Sequence, residues 1–362
     1  RGSMMPMMHY PPRNWLHASS IQRRTFVKAA SLMTMAQTWP GRPLRAQAPQ
    51  TLRIGLVSAA SYGHGQQPRR PGSHHGTAFL TAFNGWSGNK LEGIEGSFVK
   101  SERRIPGARV TKLWDPDPKA AMKLAHACEV ESVAPTPEAC CEEVDAVILV
   151  DDGSGEQWKW AKHPLQSGIP VFCDKPLAMT GRKAREIAML ARSLKMPFMS
   201  SSSLRFVPDI LQLRKDLPDL GKVHLAQVVC GNDLIYYGIH ALSMIYAVLG
   251  AGAISAMHVG RDDAHIARIR FKNDLDVVLM VGQPHKMRSG YQIQLYGSKQ
   301  WKSLTPDLSH LYTYLLETWV DYVRTGKEPY PIEEEVELIA ALEACQRSLQ
   351  SGSEVMIKDC FD

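Results

Sequence analysis

The stretch Ile169-Pro170-Val171-Phe172-Cys173-Asp174-Lys175-Pro176-Leu177-Ala178 decides how this chain of 362 residues is interpreted. Its apolar part is typical of a buried β-strand, and it ends abruptly in an acid, a lysine and a proline. Strands of an open parallel sheet present functional groups at their carboxyl ends, where ligands bind. Pro176 lacks the N–H group that would continue a ladder. The pattern predicts a functional lysine at a strand end; a solvated lysine is the alternative.

Strand and helix patterns alternate around this stretch. Apolar runs typical of buried strands lie at 52–57, 108–114, 145–150 and 197–199. Between them, helical patterns follow Pro118 as far as Cys128 and cover 156–167 and 181–195. Repeated strand–helix units of this length indicate a Rossmann-like, doubly wound parallel sheet.

After residue 205 the strand patterns become longer and fewer helices separate them. They lie at 223–230, 266–271, 276–281 and 291–296. These runs predict an α/β domain with an open, mainly antiparallel sheet. An apolar stripe over 308–323 repeats at helical spacing and predicts core packing, and a last helix is expected at 333–350.

The length of the chain favours more than one domain. About 300 residues is the size at which a single hydrophobic core usually stops growing. We therefore predict a leader at 1–48, a Rossmann-like nucleotide-binding domain at 49–203 and a domain for substrate binding and oligomerisation at 204–362.

The leader has the features of an export signal. Arg1-Gly2-Ser3-Met4 looks like a tag scar, and Arg23-Arg24-Thr25-Phe26-Val27-Lys28 precedes a short apolar run. Ala46-Gln47-Ala48 then offers a cleavage site. This order resembles a twin-arginine export signal, and the apolar run is too short to span a bilayer. We expect a protein that is periplasmic or otherwise exported; a basic disordered tail is the alternative.

The leader also explains the positive charge of the chain. It holds seven of the 42 Lys and Arg residues and no acid, which leaves 35 basic and 36 acidic residues elsewhere. The basic balance therefore gives no reason to expect nucleic-acid binding. Neither the seven cysteines nor the pairs His74-His75 and Cys140-Cys141 have the spacing of metal ligands, so we predict no metal site.

The loop after the first strand is an altered dinucleotide fingerprint. G-x-G-x-x-G is expected there, and Ser58-Ala59-Ala60-Ser61-Tyr62-Gly63 stands in its place. Ser58 and Ala60 are small, but only Gly63 keeps the freedom to adopt a positive φ. Asp115 ends the second strand, where an acid accepts hydrogen bonds from the adenosine ribose and opposes a 2′-phosphate. This favours NAD over NADP as the cofactor; a turn aspartate is the alternative.

Taken together, these motifs resemble those of the Gfo/Idh/MocA oxidoreductases. That family has a Rossmann domain followed by an α/β domain whose open sheet faces the nicotinamide. Its Glu-Lys-Pro hallmark corresponds to Asp174-Lys175-Pro176, and its Asp-x-Gly-x-His motif corresponds to Tyr236-Tyr237-Gly238-Ile239-His240. The tail from Trp319 to Ile357 is similar as well. The resemblance covers residues 51–357.

The resemblance implies a role for each of these residues. Lys175 would lie between nicotinamide and substrate and lower the pKa of the reacting hydroxyl, and Pro176 would hold the turn that aims it. His240 would move the proton of that hydroxyl. Tyr236 replaces the usual Asp and offers a phenol as a second acid or base. Asp152 replaces part of the usual Thr-Pro-Asn turn and would sit close to the cofactor.

Three functions fit this pattern. The leading hypothesis is an exported enzyme that acts on a carbohydrate hydroxyl by nicotinamide-dependent hydride transfer, with a tightly bound cofactor recycled in place. The substitutions at Ser58 and Ala60 suggest a nicotinamide-independent lyase or hydratase on keto-sugars instead. The substitution at Tyr236 suggests a non-catalytic carbohydrate-binding protein. We expect no stable membrane insertion, and the resemblance implies a homo-oligomer.

Overall fold

Two β-sheets organise the protein from Pro49 to Asp362. The computed structural model describes residues 50–62, 70–88, 99–152 and 154–362, so the leader and Gly63 lie outside the described residues. The elements of the first half are β1 Leu52–Val57, β2 Ser61–Tyr62, β3 Arg70–Pro71, α1 His74–Asn84, β4 Ala108–Trp114, α2 Pro118–Ala127, β5 Ser132–Val133, β6 Ala146–Leu149, α3 Lys162–Gln166, β7 Val171–Cys173, α4 Gly181–Leu194 and β8 Phe198–Met199.

The first sheet is wholly parallel and has the order β5-β4-β1-β6-β7-β8. Successive side chains point to opposite faces of a strand. In β7, Val171 and Cys173 therefore pack in one buried cluster with α3 and α4, whereas Phe172 packs in another with α1 and α2. Both faces are covered by helices, which confirms the predicted doubly wound sheet.

The helix predicted over 156–167 is broken in two. A 3-10 helix covers Gln157–Trp160, and α3 follows it. Pro164 stands at the third position of α3, and proline is tolerated only in the first turn because it has no N–H group to donate. A new helix therefore has to begin just before it. The short strands β2 and β3 pair with each other in antiparallel orientation.

The second half forms a mixed sheet of seven strands. Its elements are α5 Pro208–Lys215, α6 Leu217–Leu220, β9 Val223–Gly231, α7 Gly238–Leu249, β10 Ala253–His258, β11 Ala264–Phe271, β12 Leu275–Gly282, β13 Gln292–Gly297, β14 Trp301–Leu304, α8 Leu311–Thr325, α9 Ile332–Ser351 and β15 Val355–Met356. The order is β14-β13-β9-β12-β11-β10-β15, and only β9 and β12 pair in parallel. This confirms the predicted mainly antiparallel sheet.

The sequence prediction missed β10, β14 and β15. The side chains of β14 are mostly exposed, and β15 has two residues, so neither leaves an apolar pattern to detect. β10 carries small residues in place of the usual branched ones. Helices α7 and α9 cover one face of this sheet, while alternate residues of β11 on the other face are exposed.

Helix α8 belongs to the second half of the chain but packs against the first sheet. Leu315, Leu316 and Trp319 are fully buried there, and the Trp319 ring centroid lies 6.1 Å from that of Phe172. The predicted core stripe is therefore confirmed, and it brings Tyr312 to the edge of the first sheet. All seven cysteines are buried and unpaired. In the described part of the chain, no helix is long and apolar enough to cross a membrane.

Candidate active site

A cavity of about 420 Å³ lies at the carboxyl edge of the first sheet. The carboxyl ends of parallel strands meet at one edge, so the residues that follow β6 and β7 come together there. The start of α1, the loop that leads into α7 and the segment before α8 complete the wall. The lining includes His75, Asp152, Lys175, Tyr236, His240 and Tyr312. The structure therefore brings the three predicted catalytic residues and Asp152 to one cavity.

Lys175 is almost fully buried at this cavity, directly after β7. Its Nζ lies 4.0 Å from the ring centroid of Tyr236 and 5.8 Å from that of Tyr237. Burial lowers the pKa of Lys175, and the carboxylates of Asp174 and Asp152 oppose that shift. An ammonium group over an aromatic face and shielded from water interacts strongly with developing negative charge.

A single side chain fixes the turn that carries Lys175. The buried Gln157 donates through Nε2 to the carbonyl oxygen of Asp174 at 2.6 Å and to that of Pro176 at 2.8 Å. The Lys175–Pro176 peptide bond is cis. Pro176 thus forms part of the turn and is not among the residues that line the cavity.

His240 stands in the first turn of α7 and lines the cavity. Its Nδ1 lies 2.7 Å from Oγ of Ser202, and its ring packs edge-on to Tyr237 and Tyr291. Burial, and secondly the charge of Lys175, hold the pKa of His240 well below its usual value of 6.5. The ring is therefore neutral near pH 7. When Nδ1–H donates to Ser202, the lone pair on Nε2 is available to take a proton.

A histidine that the sequence analysis did not single out for catalysis also lines the cavity. Nδ1 of His75 lies 2.6 Å from Oδ2 of Asp174, and both residues are buried. Ser73 caps α1 by accepting a hydrogen bond from the N–H of Gly76 at 3.0 Å, which fixes His75 in the first turn. The acid of the Asp174-Lys175-Pro176 motif therefore orients an imidazole.

Asp152 occupies the N-terminus of α1. Its Oδ2 accepts hydrogen bonds from the N–H of His74 at 2.6 Å, from the N–H of His75 at 3.1 Å and from the hydroxyl of Ser73. Burial alone would raise the pKa of Asp152, but the charges of His75 and Lys175 and these amides hold it below its ordinary value. The N-terminus of a helix is an anion-binding position, and here a carboxylate of the protein fills it.

The altered fingerprint loop is held by two acids. Ser58 adopts a φ of 55° although it is not glycine, so the loss of glycine did not remove the left-handed turn. Its hydroxyl donates to Asp151 at 3.0 Å. Asp115 accepts hydrogen bonds from the N–H groups of Ala60 at 2.8 Å and Ser61 at 3.0 Å. The contact of Asp115 with a ribose stays a prediction.

Helix α1 approaches the end of β1 very closely. A Cβ atom on Gly76 would lie 2.1 Å from the carbonyl oxygen of Ala59, so a side chain there would force the two apart. Close packing of helix on strand is the purpose of the last glycine in a dinucleotide fingerprint. Gly76 serves this purpose here. The predicted role of Gly63 falls outside the described residues and stays a prediction.

The family comparison concerns the first half of the chain. Residues 72–201 match the model GFO_IDH_MocA, described as an oxidoreductase family with an NAD-binding Rossmann fold. This segment is therefore similar to the Gfo/Idh/MocA oxidoreductases, as its motifs indicated. Within the described residues, no group of three or more His, Cys, Asp or Glu side chains is arranged to hold a metal ion.

Curated relatives of the chain include inositol and glucoside dehydrogenases. Inositol 2-dehydrogenase 4 from Saccharopolyspora erythraea is 30% identical over 127 residues, which is 33% of this chain and 36% of that protein. D-glucoside 3-dehydrogenase from Escherichia coli is 30% identical over 115 residues, which is 26% of this chain and 33% of that protein. The similarity spans about a third of each relative.

Solved structures extend the likeness to the whole fold. A myo-inositol dehydrogenase from Lactobacillus casei, in complex with NAD(H) and myo-inositol, has a TM-score of 0.68 at 15% identity and covers 85% of this chain and 97% of its own. A putative myo-inositol dehydrogenase from Sinorhizobium meliloti has a TM-score of 0.68 at 16% identity, with 85% of this chain and 100% of its own covered. At these identities the likeness establishes the fold.

Proposed function

We propose that this protein is an enzyme that oxidises or reduces a hydroxyl-bearing carbon of a carbohydrate or polyol with a nicotinamide cofactor. The observation that carries the proposal is the shared cavity of Lys175 and His240 at the carboxyl edge of a Rossmann-like sheet. The family of residues 72–201 and the inositol and glucoside dehydrogenases among the relatives support this reaction and substrate class.

The residues around β1 and α1 fit a dinucleotide. The amides at the start of α1 would hold its pyrophosphate, the small side chains of 58–61 would leave room for it, and Asp115 favours NAD over NADP. The close approach of α1 to β1 at Gly76 supports this placement. Bound nicotinamide supplies a hydride acceptor or donor. Because Asp152 already accepts from the α1 amides, it has to release them for the cofactor.

The protein side chains handle the substrate hydroxyl. The ammonium group of Lys175 stabilises the alkoxide that forms as the hydroxyl loses its proton, and the neutral His240 accepts that proton. Burial raises the pKa of Tyr237 and of Tyr291, so both phenols stay protonated. They are available as hydrogen-bond donors to the other hydroxyl groups of the substrate.

Native mass spectrometry and a redox assay test this function. The purified protein is weighed without denaturation for a bound nicotinamide nucleotide and then assayed with NAD or NADP on myo-inositol and methyl glucosides. We expect a bound nucleotide that survives gel filtration, as a cofactor recycled in place requires, and turnover with NAD. The absence of both a bound nucleotide and turnover with added cofactor would contradict the proposal.

The position of Asp152 favours a second candidate function. Its carboxylate holds the amides that a pyrophosphate would need, and Asp115 is engaged with the fingerprint loop. A nicotinamide-independent lyase or hydratase that acts on keto-sugars would leave these contacts in place. It predicts activity on 3-keto-glycosides after removal of all nucleotide, and strict dependence on added NAD would exclude it. Sugar binding without turnover would indicate a non-catalytic carbohydrate-binding protein.

We also propose that the protein is exported by the twin-arginine route. The order of paired arginines, apolar run and cleavage site in residues 20–48 supports this, and the seven unpaired cysteines suit a protein that folds before export. A reporter fused to residues 1–48 should leave the cytoplasm of a bacterium with this pathway. Replacing Arg23 and Arg24 by lysine should retain it, and export that persists would contradict the proposal.

Finally, we propose a homo-oligomer paired through the open face of the second sheet. Leu225, Ile266 and Tyr296 are exposed apolar side chains on strands of this sheet, each between 38% and 41% accessible. Light scattering after gel filtration should give a mass of at least two chains. Ile266→Lys should reduce that mass toward one chain, whereas a monomeric wild-type protein would contradict the proposal.

A further inference from the structure

Two histidines of the cavity are anchored in the same way but to partners of different charge. His240 is held through Nδ1 by the neutral hydroxyl of Ser202, and His75 is held through Nδ1 by the carboxylate of Asp174. In both rings this leaves Nε2 for a ligand. Among the described residues, no hydrogen bond occupies Nε2 of His75.

The two partners differ in charge. A carboxylate accepts the Nδ1–H of a histidine, fixes its tautomer and stabilises the imidazolium form. A serine hydroxyl carries no charge that would do so. The charges of Lys175 and His75 are also among the causes that lower the pKa of His240, so the three groups lie within electrostatic reach of one another. A general base and a general acid that act on one substrate have to line the same cavity, as His240 and His75 do.

We propose that His75, positioned by Asp174, is the general acid of an elimination reaction in which His240 is the base. The substrate class is a glycoside that carries a ketone two carbons from its anomeric carbon. This inference rests on the proposed carbohydrate activity of the cavity, and it holds whether the ketone arrives with the substrate or is formed in the same site.

The step balances without an oxidant or reductant. His240 takes the proton from the carbon between the ketone and the anomeric carbon, and Lys175 stabilises the enolate oxygen. The electron pair of that C–H bond forms a C=C bond to the anomeric carbon as the glycosidic C–O bond breaks. The leaving oxygen takes a proton from Nε2 of His75. The products are an alcohol and a conjugated enone.

A simple dehydrogenase needs one proton acceptor for its substrate hydroxyl, whereas elimination needs a base and an acid on two sides of the sugar. The cavity supplies both, since His75 of α1 and His240 of α7 line it together. Asp174 contributes to both the acid and the enolate site, because its side chain orients His75 and it directly precedes Lys175 in the turn after β7.

The dependence on the leaving group tests the role of His75. Methyl and 4-nitrophenyl 3-keto-glucosides of both anomeric forms are given to the wild-type protein and to His75→Gln, and the enone is followed by its ultraviolet absorbance. A methoxide leaving group needs a proton, whereas 4-nitrophenolate leaves without one. We expect His75→Gln to lose about 100-fold or more on the methyl substrate and less than about threefold on the nitrophenyl substrate. Asp174→Asn should likewise lower the rate on the methyl substrate relative to the rate on the nitrophenyl substrate.

Proton exchange separates this inference from the function on which it rests. In deuterated water, His75→Gln should still exchange the proton next to the ketone, and His240→Ala should not. The ratio of the rates on the two substrates is measured with the same sample of each variant, so a partly unfolded variant does not distort it. Equal losses on both substrates would overturn the role of His75, and no exchange or elimination by the wild-type protein would overturn the elimination reaction. The redox assay on myo-inositol and methyl glucosides tests the carbohydrate function separately. His126→Gln, an exposed histidine on α2, is the control and should behave as wild type.

Discussion

Glu335, in the first turn of α9, should make the stability of this protein strongly pH-dependent. Its side chain is completely buried, and neither carboxylate oxygen has a hydrogen-bond partner among the described residues. Burial raises the pKa of Glu335 to about 8, although the charge of Arg205 opposes that shift. The native state therefore favours the neutral acid.

The magnitude follows from the difference between the folded and unfolded states. Because the folded pKa is above the ordinary value of 4.5, the stabilisation is complete below pH 4.5 and is lost as the pH rises toward about 8. At 1.36 kcal/mol for each pKa unit, the free energy of unfolding should fall by about 3–4 kcal/mol between pH 5 and pH 8 through this residue alone. Glu335→Gln keeps the shape of the neutral acid and removes that decline.

Urea denaturation at several pH values measures the effect. The free energy of unfolding of Glu335→Gln minus that of the wild-type protein should grow by about 3–4 kcal/mol from pH 5 to pH 8. Glu333→Gln is the matched control, because its carboxylate is in the same turn but exposed and paired with Arg192. The free energy of unfolding of Glu333→Gln should fall between pH 5 and pH 8 as that of the wild-type protein does. Parallel curves for Glu335→Gln and wild type would refute the reasoning.

Three further tests use variants of residues in and near the cavity. Gly76→Ala should lower the free energy of unfolding by about 3 kcal/mol, because its Cβ would meet a backbone carbonyl. Gly88→Ala, which has open space around it, should change the free energy of unfolding little. Equal effects of the two variants in thermal denaturation would contradict this packing. Asp152→Asn should raise the affinity for NAD about tenfold in calorimetry, because a competing anion is removed; an unchanged affinity would exclude the cofactor from α1. Tyr236→Phe should keep the rate of turnover within about threefold of the wild-type rate, and Tyr236→Leu should lower it about tenfold, because Lys175 lies over the ring. A large loss of turnover in the Phe variant would show that the phenol transfers the proton.

The parts of the fold that repeat a simple period were predictable. β1 and β4 have the predicted bounds, and the last strand of the first sheet begins one residue later than predicted and ends at the predicted residue. Lys175 was identifiable because an apolar run stops at a charged residue, and His240 because it opens an apolar helix. The ends of parallel strands share one edge of a sheet, so the meeting of these residues follows from the fold class.

The partners of these residues could not be predicted. Asp174 and His75 are 99 positions apart in the chain, and nothing in either local pattern points to the other. Nothing in the sequence around Ser73 indicates that a carboxylate from the loop after β6 would occupy the start of α1. Edge strands such as β14 were missed because their side chains are exposed and carry no apolar period.

Turnover by a Lys175 variant tests the central claim most directly. The purified protein and Lys175→Met are incubated with a mixture of polyols, glycosides and 3-keto-glycosides, with and without NAD, and the products are identified by mass spectrometry. We predict that the wild-type protein converts at least one sugar and that Lys175→Met loses about 100-fold or more of that rate while it stays folded. No conversion by the wild-type protein, or equal conversion by the variant, would contradict the account.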